Sequence, residues 1–367
     1  MIYFHKRRKM QVLKLRFAPF VWFYNKRKSM KKTNLFVLVM IVFPLLFSSC
    51  SKSTKRFKID TSEKRVEVKI KRFDKAMMTL VDKDFKQNVA KLYVDFPKFL
   101  PAYTAEILDT AAMDTVAVSN LFKSFLADKT FAPVNKKSME TFADVTDIEK
   151  SLSDAYTYIM HYFPNAKLPE IYFFVSGLNR SVIMNDDFIA IGTDFYLGSD
   201  YKAYKDFTYK YLMYNMRREC VAADIVSATL FRMFALSNDK DRLLDHMLFR
   251  GKVMYLLSVC MPQEKAEDLM AYDPVHWKWC NQYEKNIWAA MIDQKDLFST
   301  DNILIKKYMN DAPFTAPISQ ESPGRLGTWI GWQIVSSYMK NNPQVGLRDL
   351  MKDDNYQKML ENSGYKP

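Results

Sequence analysis

Cys50 is the residue whose type and setting most directly imply chemistry. It follows Ser48 and Ser49, which close an uncharged, apolar run from Leu35 to Phe47; Met30, Lys31 and Lys32 stand in front of that run. A short basic segment, an apolar stretch and small residues before the cleavage point make a secretory signal. A cysteine directly after the small residues makes it a lipoprotein signal. Small side chains let a peptidase approach the backbone, and the thiol takes the diacylglycerol that becomes the anchor. Phe47 stands where this pattern usually has leucine. The alternative is a membrane-spanning helix, but the run of 13 residues falls short of the roughly 20 that a bilayer requires.

The other reactive side chains are sparse. Beyond Cys50 the chain has three histidines, His161, His246 and His276, no two of them within five residues. H-E-x-x-H and any local two-histidine metal site are therefore absent, as are a G-x-S-x-G elbow, a Walker loop and G-x-G-x-x-G. His246 is read as a hydrogen-bonded helix histidine rather than a ligand. Asp186, Asp187, Asp194 and Asp200 are close in sequence, and a pair of them could serve as general acid and base or bind a hard cation. Asp and Asn are also ordinary turn formers, which is the favoured reading. Trp277, Trp279 and Trp288 could stack on a sugar or peptide; at their spacing they are expected in the core. No catalytic, cofactor or metal site is assigned. Cys220, Cys260 and Cys280 are expected as buried thiols, with a Cys260–Cys280 bridge as the alternative.

The elements that must position these residues begin with Val66 to Ile70, whose alternation predicts a strand. Phe85, Val89, Leu92, Tyr93 and Phe96 predict a helix ended by Pro97 and Pro101. Thr146 and Glu149 have capping-box spacing before a helix carrying Ile148, Leu152, Tyr156, Ile159 and Phe163 on one face. Ile171–Val175 and Phe188–Ile191 read as two strands joined by a polar turn through Asn185, Asp186 and Asp187. From about Tyr209 to Leu350 the pattern is almost wholly helical. Its clearest helix is predicted to start with Ser322 as N-cap and Pro323 at the first position, and to stop before Asn341. Gly327 and Gly331 lie four apart on it and would let a second helix approach closely. The fold class expected is α+β, predominantly α-helical with a small sheet, in a single domain over 66–367.

The net charge of +13 is misleading. Residues 1–49 hold eleven Lys or Arg and no Asp or Glu, which leaves 43 basic against 41 acidic residues from Cys50 onward. A nucleic-acid partner is not implied. Residues 1–29 read as an upstream extension, with translation starting at Met30, or else as part of an unusually long n-region. Residues 30–49 are the signal peptide. Residues 50–65 are expected to be a lipidated tether, polar and without periodicity.

Several blocks give the chain a family resemblance. They are Val68 to Asp74, Phe96 to Pro101, Asp194 to Gly198, Leu243 to Met247 with Gly251-Lys252, Ser322 to Val335, and the closing Tyr365-Lys366-Pro367. In this order they resemble the gliding-motility-associated lipoproteins of Bacteroidetes, the GldB family. The resemblance implies an envelope lipoprotein that supports a protein assembly; relatives occur in non-gliding species, so gliding itself is not implied. The family is also distantly similar to predicted zinc peptidases. On that matching Arg218 to Ala222 occupies the H-E-x-x-H position and Arg250-Gly251 the third-ligand position, leaving only Glu219. Guanidinium groups do not ligate zinc, so the implied fold is a degenerate peptidase-like one lacking the metal site. Asp109-Thr110-Ala111 and Asp114-Thr115-Val116 resemble acceptor sites of periplasmic O-glycosylation in the same bacteria.

The function expected is a non-catalytic, lipid-anchored protein stabilising an envelope assembly of gliding or secretion type. Its partners are envelope proteins and, through the anchor, the membrane. The alternatives are a hydrolase and a solute- or glycan-binding periplasmic lipoprotein. Lys52 provides no acidic export tract, so the domain is expected to face the periplasm, on either membrane. Cys50→Ala is predicted to abolish palmitate labelling and leave the signal uncleaved; labelling and detergent extraction identical to wild type would refute the lipidation site.

Overall fold

Two apolar runs turn alternate side chains to opposite faces of one sheet. In the computed structural model, which describes residues 54–367 except 63, 82–84 and 111–114, these runs are β2 (Glu170–Phe174) and β4 (Phe188–Gly192). Ile171, Phe173, Ile189 and Ile191 enter one core, and Tyr172, Phe174, Phe188 and Ala190 enter the other. Burial on both faces explains why the runs are continuously apolar. Cys50, the signal segment and residues 1–29 lie outside the described residues.

The sheet has four strands in the order β1-β2-β4-β3, with β1 at Ile70–Arg72 and β3 at Val182–Met184. β1, β2 and β4 are parallel, with Ile70 opposite Ile171 and Ile171 opposite Ile189; β3 runs antiparallel to β4. The expected pairing of Ile171–Val175 with Phe188–Ile191 across one turn is therefore corrected. Parallel neighbours cannot be joined by a tight turn. The turn at 185–187 instead joins β4 to β3, a three-residue strand too short to show a period.

The extended segment from Val66 forms a ladder of a different kind. The amides of Val66, Val68 and Ile70 donate to Thr157 Oγ1 (2.9 Å), Ser153 Oγ (3.0 Å) and Glu149 Oε1 (2.9 Å). These acceptors stand four apart on helix α6, defined below. Two residues of strand advance about 6.6 Å and four of helix about 6 Å, so the two elements keep step. The Ser153 and Thr157 hydroxyls donate back to the helix carbonyls of Glu149 and Ser153. Only Ile70–Arg72 enters the sheet ladder, so the strand predicted over 66–70 is shifted. Glu149 is thereby taken from the predicted capping box; Asp144 accepts the Thr146 amide instead (2.9 Å).

On one face of the sheet lie helices α1 (Phe73–Met78), α2 (Phe85–Asp95), α3 (Leu100–Glu106) and α4 (Thr115–Ala127). Their centre is Phe73, edge-on to Phe96 and Phe99 at 5.2 and 5.0 Å, while Phe99 stacks on Tyr172 at 5.1 Å. Pro101, expected to end a helix, sits in the first turn of α3, where its missing N–H costs nothing. Helix α5 (Ala132–Thr141) precedes α6 (Thr146–Tyr162), which carries Ile148, Leu152, Tyr156 and Ile159 inward.

The larger core is built on α7 (Val221–Met233), α8 (Leu243–Cys260), α9 (Pro274–Asp293), α10 (Asn302–Met309), α11 (Leu326–Asn341), α12 (Leu347–Lys352) and α13 (Tyr356–Ser363). α8 and α11 are apolar nearly all round, as helices enclosed by others must be. They cross at glycines. A Cβ on Gly251 would strike the Gly331 carbonyl, and one on Gly331 would strike the Met247 carbonyl. The close approach expected of Gly331 is thus present, with Gly251 as its counterpart. Gly327 faces Met309 of α10 instead. α11 starts at Leu326, not at Pro323. Arg325 is its N-cap in the left-handed region (φ 61°), and the Ser322 hydroxyl accepts the Thr315 amide (2.9 Å). The α+β, mostly helical class is as expected.

Order begins before Val66, which shortens the predicted tether. Arg56 donates to the carbonyls of Pro343 (2.6 Å) and Val345 (3.0 Å), and Phe57 is buried edge-on to Tyr162 and Tyr255. Among the described residues, no helix is long and apolar enough to cross a membrane. Gly331→Ala is predicted to destabilise the protein by about 3 kcal/mol, the upper end of overpacking costs, because backbone must move; urea unfolding checks it. A loss below about 1 kcal/mol would show that the crossing can relax.

Candidate functional site

The four aspartates proposed from sequence are not brought together as a site. Asp186 and Asp187 are exposed in the turn before β4, where the Asn185 side chain accepts the amides of Asp187 (2.9 Å) and Phe188 (3.1 Å). Asp200 is exposed further along. Asp194 is fully buried, and its Oδ2 accepts the amides of Ser176 (3.1 Å) and Leu178 (2.7 Å) and the Ser176 hydroxyl (2.9 Å). Burial pushes its carboxyl up to about 6 against these donors. It holds the loop after β2 in a shape that needs left-handed backbone at Gly177 and Leu178. The turn reading of this cluster is the one its geometry supports.

The histidines are dispersed. His161 is exposed, and His276 pairs its Nδ1 with Asp273 Oδ2 (2.9 Å) at the start of α9. His246 is half-buried in the first turn of α8, where burial and the nearby Arg250 push its imidazole down. No side-chain hydrogen bond to His246 is present among the described residues, so the hydrogen-bonded role expected for it is not seen. No three His, Cys, Asp or Glu side chains of the described residues converge as metal ligands would. Cys220, Cys260 and Cys280 are free and buried, and burial pushes the Cys220 thiol up to about 11. The Cys260–Cys280 bridge is absent.

The residues matched to a zinc peptidase have structural roles. Arg218 clamps Asp147 through both carboxylate oxygens (2.5 and 2.7 Å) and also donates to the Asp144 carbonyl. This pairing holds the Asp147 carboxyl below its ordinary range. Glu219 is exposed and Ala222 buried. Arg250 donates to the Met309 carbonyl (2.7 Å). The degenerate-peptidase expectation finds no support in this arrangement. Of the tryptophans, Trp277 packs on Trp329 and Trp332, and Trp288 on Tyr365; each is partly buried against the core. Ala111 and Asp114, in the two glycosylation-like triplets, lie outside the described residues.

Lys252 is the most unusual titratable group. Only 2% exposed, its Nζ donates to the Asp353 carbonyl (2.7 Å) and Met351 carbonyl (3.3 Å) and lies over the Tyr356 ring. Burial pulls its ammonium down to about 8, with Asp353 and Asp354 opposing. It acts as a buried tie between α8 and the end of α12.

A surface that sequence reasoning missed is a groove of about 670 Å³ between residues 163–167, the end of α7 and α12. Phe163, Met233, Phe234 and Met351 supply apolar lining, with Phe163 edge-on to Phe234 at 5.3 Å. Lys167, Arg232, Arg348 and Lys352 surround it, with Asp186 as the acidic member. Arg232 is fixed by donating to the carbonyls of Asp186 and Lys167. Because these residues come from three distant segments, no local pattern announces them.

With the geometry in hand, comparison with known proteins gives one match. The family of the gliding motility protein GldB matches residues 54–367, the whole span of the described residues. The chain belongs to that family. No curated protein and no solved structure matches it. The GldB-family blocks correspond to internal work: Arg72 holds buried Asp74 (2.6 Å), Asp245 accepts the Arg242 amide and guanidinium, and Tyr365 ties the C-terminus to Glu284 (2.8 Å).

Lys252→Met gives a pH test of the buried tie. The folded ammonium has the lower pKa, so between about pH 8 and 10.5 the unfolded chain binds more protons and this group's contribution to stability rises with pH. Wild type is predicted to gain roughly 3 kcal/mol on the variant from pH 7.5 to 10.5. A pH-independent difference in urea unfolding would refute the desolvated lysine.

Proposed function

We propose that this chain is a non-catalytic lipoprotein of the cell envelope, anchored through Cys50, that binds or stabilises protein partners of a gliding- or secretion-type assembly. The observation that carries the reading is the GldB-family match over residues 54–367. Two structural facts support the non-catalytic part. The strongest candidates for chemistry, Asp194, Asp245, Arg218 and Lys252, each hold a backbone segment or an ion pair. The three histidines lie on different helices, with His276 paired to Asp273, and no three His, Cys, Asp or Glu side chains of the described residues converge. The description of the family as one of gliding motility supports an envelope location, and the sequence signal supports a domain on the periplasmic side. A partner has an exposed apolar stripe available on α9. Val275 and Tyr283, with half-buried Trp279 between them, repeat at the four-residue spacing of one helix face.

The test is crosslinking in intact cells from photoreactive residues placed at Val275 and Tyr283, followed by purification from membranes and mass spectrometry. Reproducible envelope proteins in near-stoichiometric amounts are predicted, with Val275→Asp lowering their recovery severalfold. Recovery of the protein alone from both positions would overturn the reading of α9 as the docking face, and with it the scaffold role assigned here.

A further inference from the structure

The groove and the root of the chain belong to one face. Cys50 precedes Thr54 by four residues, which span at most about 14 Å. On the anchor reading above, on which this inference rests, the bilayer therefore lies close to Thr54. The chain is held there firmly: Arg56 is bonded to the Pro343 and Val345 carbonyls, and Tyr162 donates its hydroxyl to the Phe57 carbonyl (2.8 Å). Tyr162 also adjoins the groove residues: its own carbonyl accepts Arg348 Nε (2.5 Å), and Phe163, the next residue, lines the groove.

Charge follows the same continuity. Lys55, Arg56 and Lys58 are exposed at the root, and Lys167, Arg348 and Lys352 are exposed around the groove. Of the acids nearby, Asp60 is bonded by Ser62 and Asp154 is paired with Arg65; Asp187, Asp349 and Asp354 are exposed beside the groove, and Asp186 is the one acid among the residues lining it. Beyond residue 49 the chain is nearly neutral overall, whereas the groove lining itself carries four cations, Lys167, Arg232, Arg348 and Lys352, and one acid. A basic rim around an apolar floor, within reach of an acyl anchor, matches the chemistry of an anionic phospholipid headgroup with its glycerol and first methylenes.

We propose that this face lies against the bilayer that holds Cys50, and that the groove binds an anionic phospholipid of that bilayer. Lys167, Arg348 and Lys352 pair with the headgroup phosphate; Phe163, Phe234 and Met351 contact the glycerol and upper acyl chain. The anchor sets only distance, whereas this contact fixes which side of the domain faces the membrane.

The test uses full-length lipoprotein extracted from its own membranes in mild detergent. It is mixed with phosphatidylglycerol or with phosphatidylcholine of the same chain length, and retained lipid is counted by native mass spectrometry. Phosphatidylglycerol is expected to be retained about fivefold or more over phosphatidylcholine. Lys167→Glu with Lys352→Glu should remove that preference while leaving thermal unfolding unchanged, since both side chains are exposed. The mass of the chain itself shows whether Cys50 is acylated and so decides the anchor separately. An acylated chain retaining both lipids equally would overturn the headgroup assignment and leave the anchor standing. The same holds if the double variant keeps the preference. A photocrosslink from Asn165 to an acidic protein segment in cells, in place of lipid, would assign the groove to a protein and equally overturn the proposal.

Discussion

The crossing of α8 and α11 at Gly251 and Gly331 is the constraint from which much of the larger core follows. Backbone meets backbone there, so neither helix can rotate or slide without driving a side chain into a carbonyl. Once Gly251 faces α11, its neighbour Lys252 is carried into the interior and must find oxygen atoms. The end of α12 provides them, at Met351 and Asp353. Arg250, on the other side of Gly251, reaches the last carbonyl of α10. One turn and a half earlier, Asp245 closes the start of α8 by accepting the Arg242 amide and side chain. Leu-Leu-Asp-His-Met and Gly-Lys thus read as one structural unit around a contact point, despite containing an acid, an imidazole and an amine.

The sheet solves a second problem, that of an exposed edge. β1 has β2 on one side and would offer free amides on the other. Just upstream, α6 supplies an acceptor for every second N–H: Thr157, Ser153 and Glu149 match the extended chain because the rises of two strand residues and four helix residues nearly agree. Each hydroxyl passes its proton to its own helix and turns a lone pair to the strand. The aromatic layer under the opposite face is fixed independently, by Phe73 directly after β1 and by Tyr103, whose hydroxyl donates to the Val175 carbonyl (3.0 Å) at the end of β2.

What sequence alone conveyed follows the same division. Long elements with one repeating face were readable: α6 through Ile148, Leu152, Tyr156 and Ile159, and α11 through its glycines and tryptophans. Elements governed by distant partners were not. Glu149 has the spacing of a capping box, yet Ile70 claims it from 79 residues away. Ser322 has the type of an N-cap, yet it turns to Thr315 because the chain makes one more bend at Arg325. β3 is three residues long and cannot show a period of two. The aspartates near β4 illustrate the converse: their density is a property of turns, and the one that is buried, Asp194, serves a loop rather than a reaction.

The blocks that carry the family resemblance, from Val68 to Asp74 through Ser322 to Val335, are those that build the crossing, the sheet edge and the aromatic layer. A resemblance carried by such residues reports a shape. It says little about what touches that shape, because a partner meets the outside of the molecule. The basic groove at 163–167, 232–234 and 348–352 and the stripe at Val275 and Tyr283 both lie outside every one of those blocks. Nothing in the internal packing requires Lys167 or Lys352 to be cationic, since both are exposed, whereas burial requires Phe73 and Trp329 to be apolar. The blocks quoted for the resemblance are thus mostly interior ones. What distinguishes this chain's attachments has to be sought in surface residues that packing leaves free to vary.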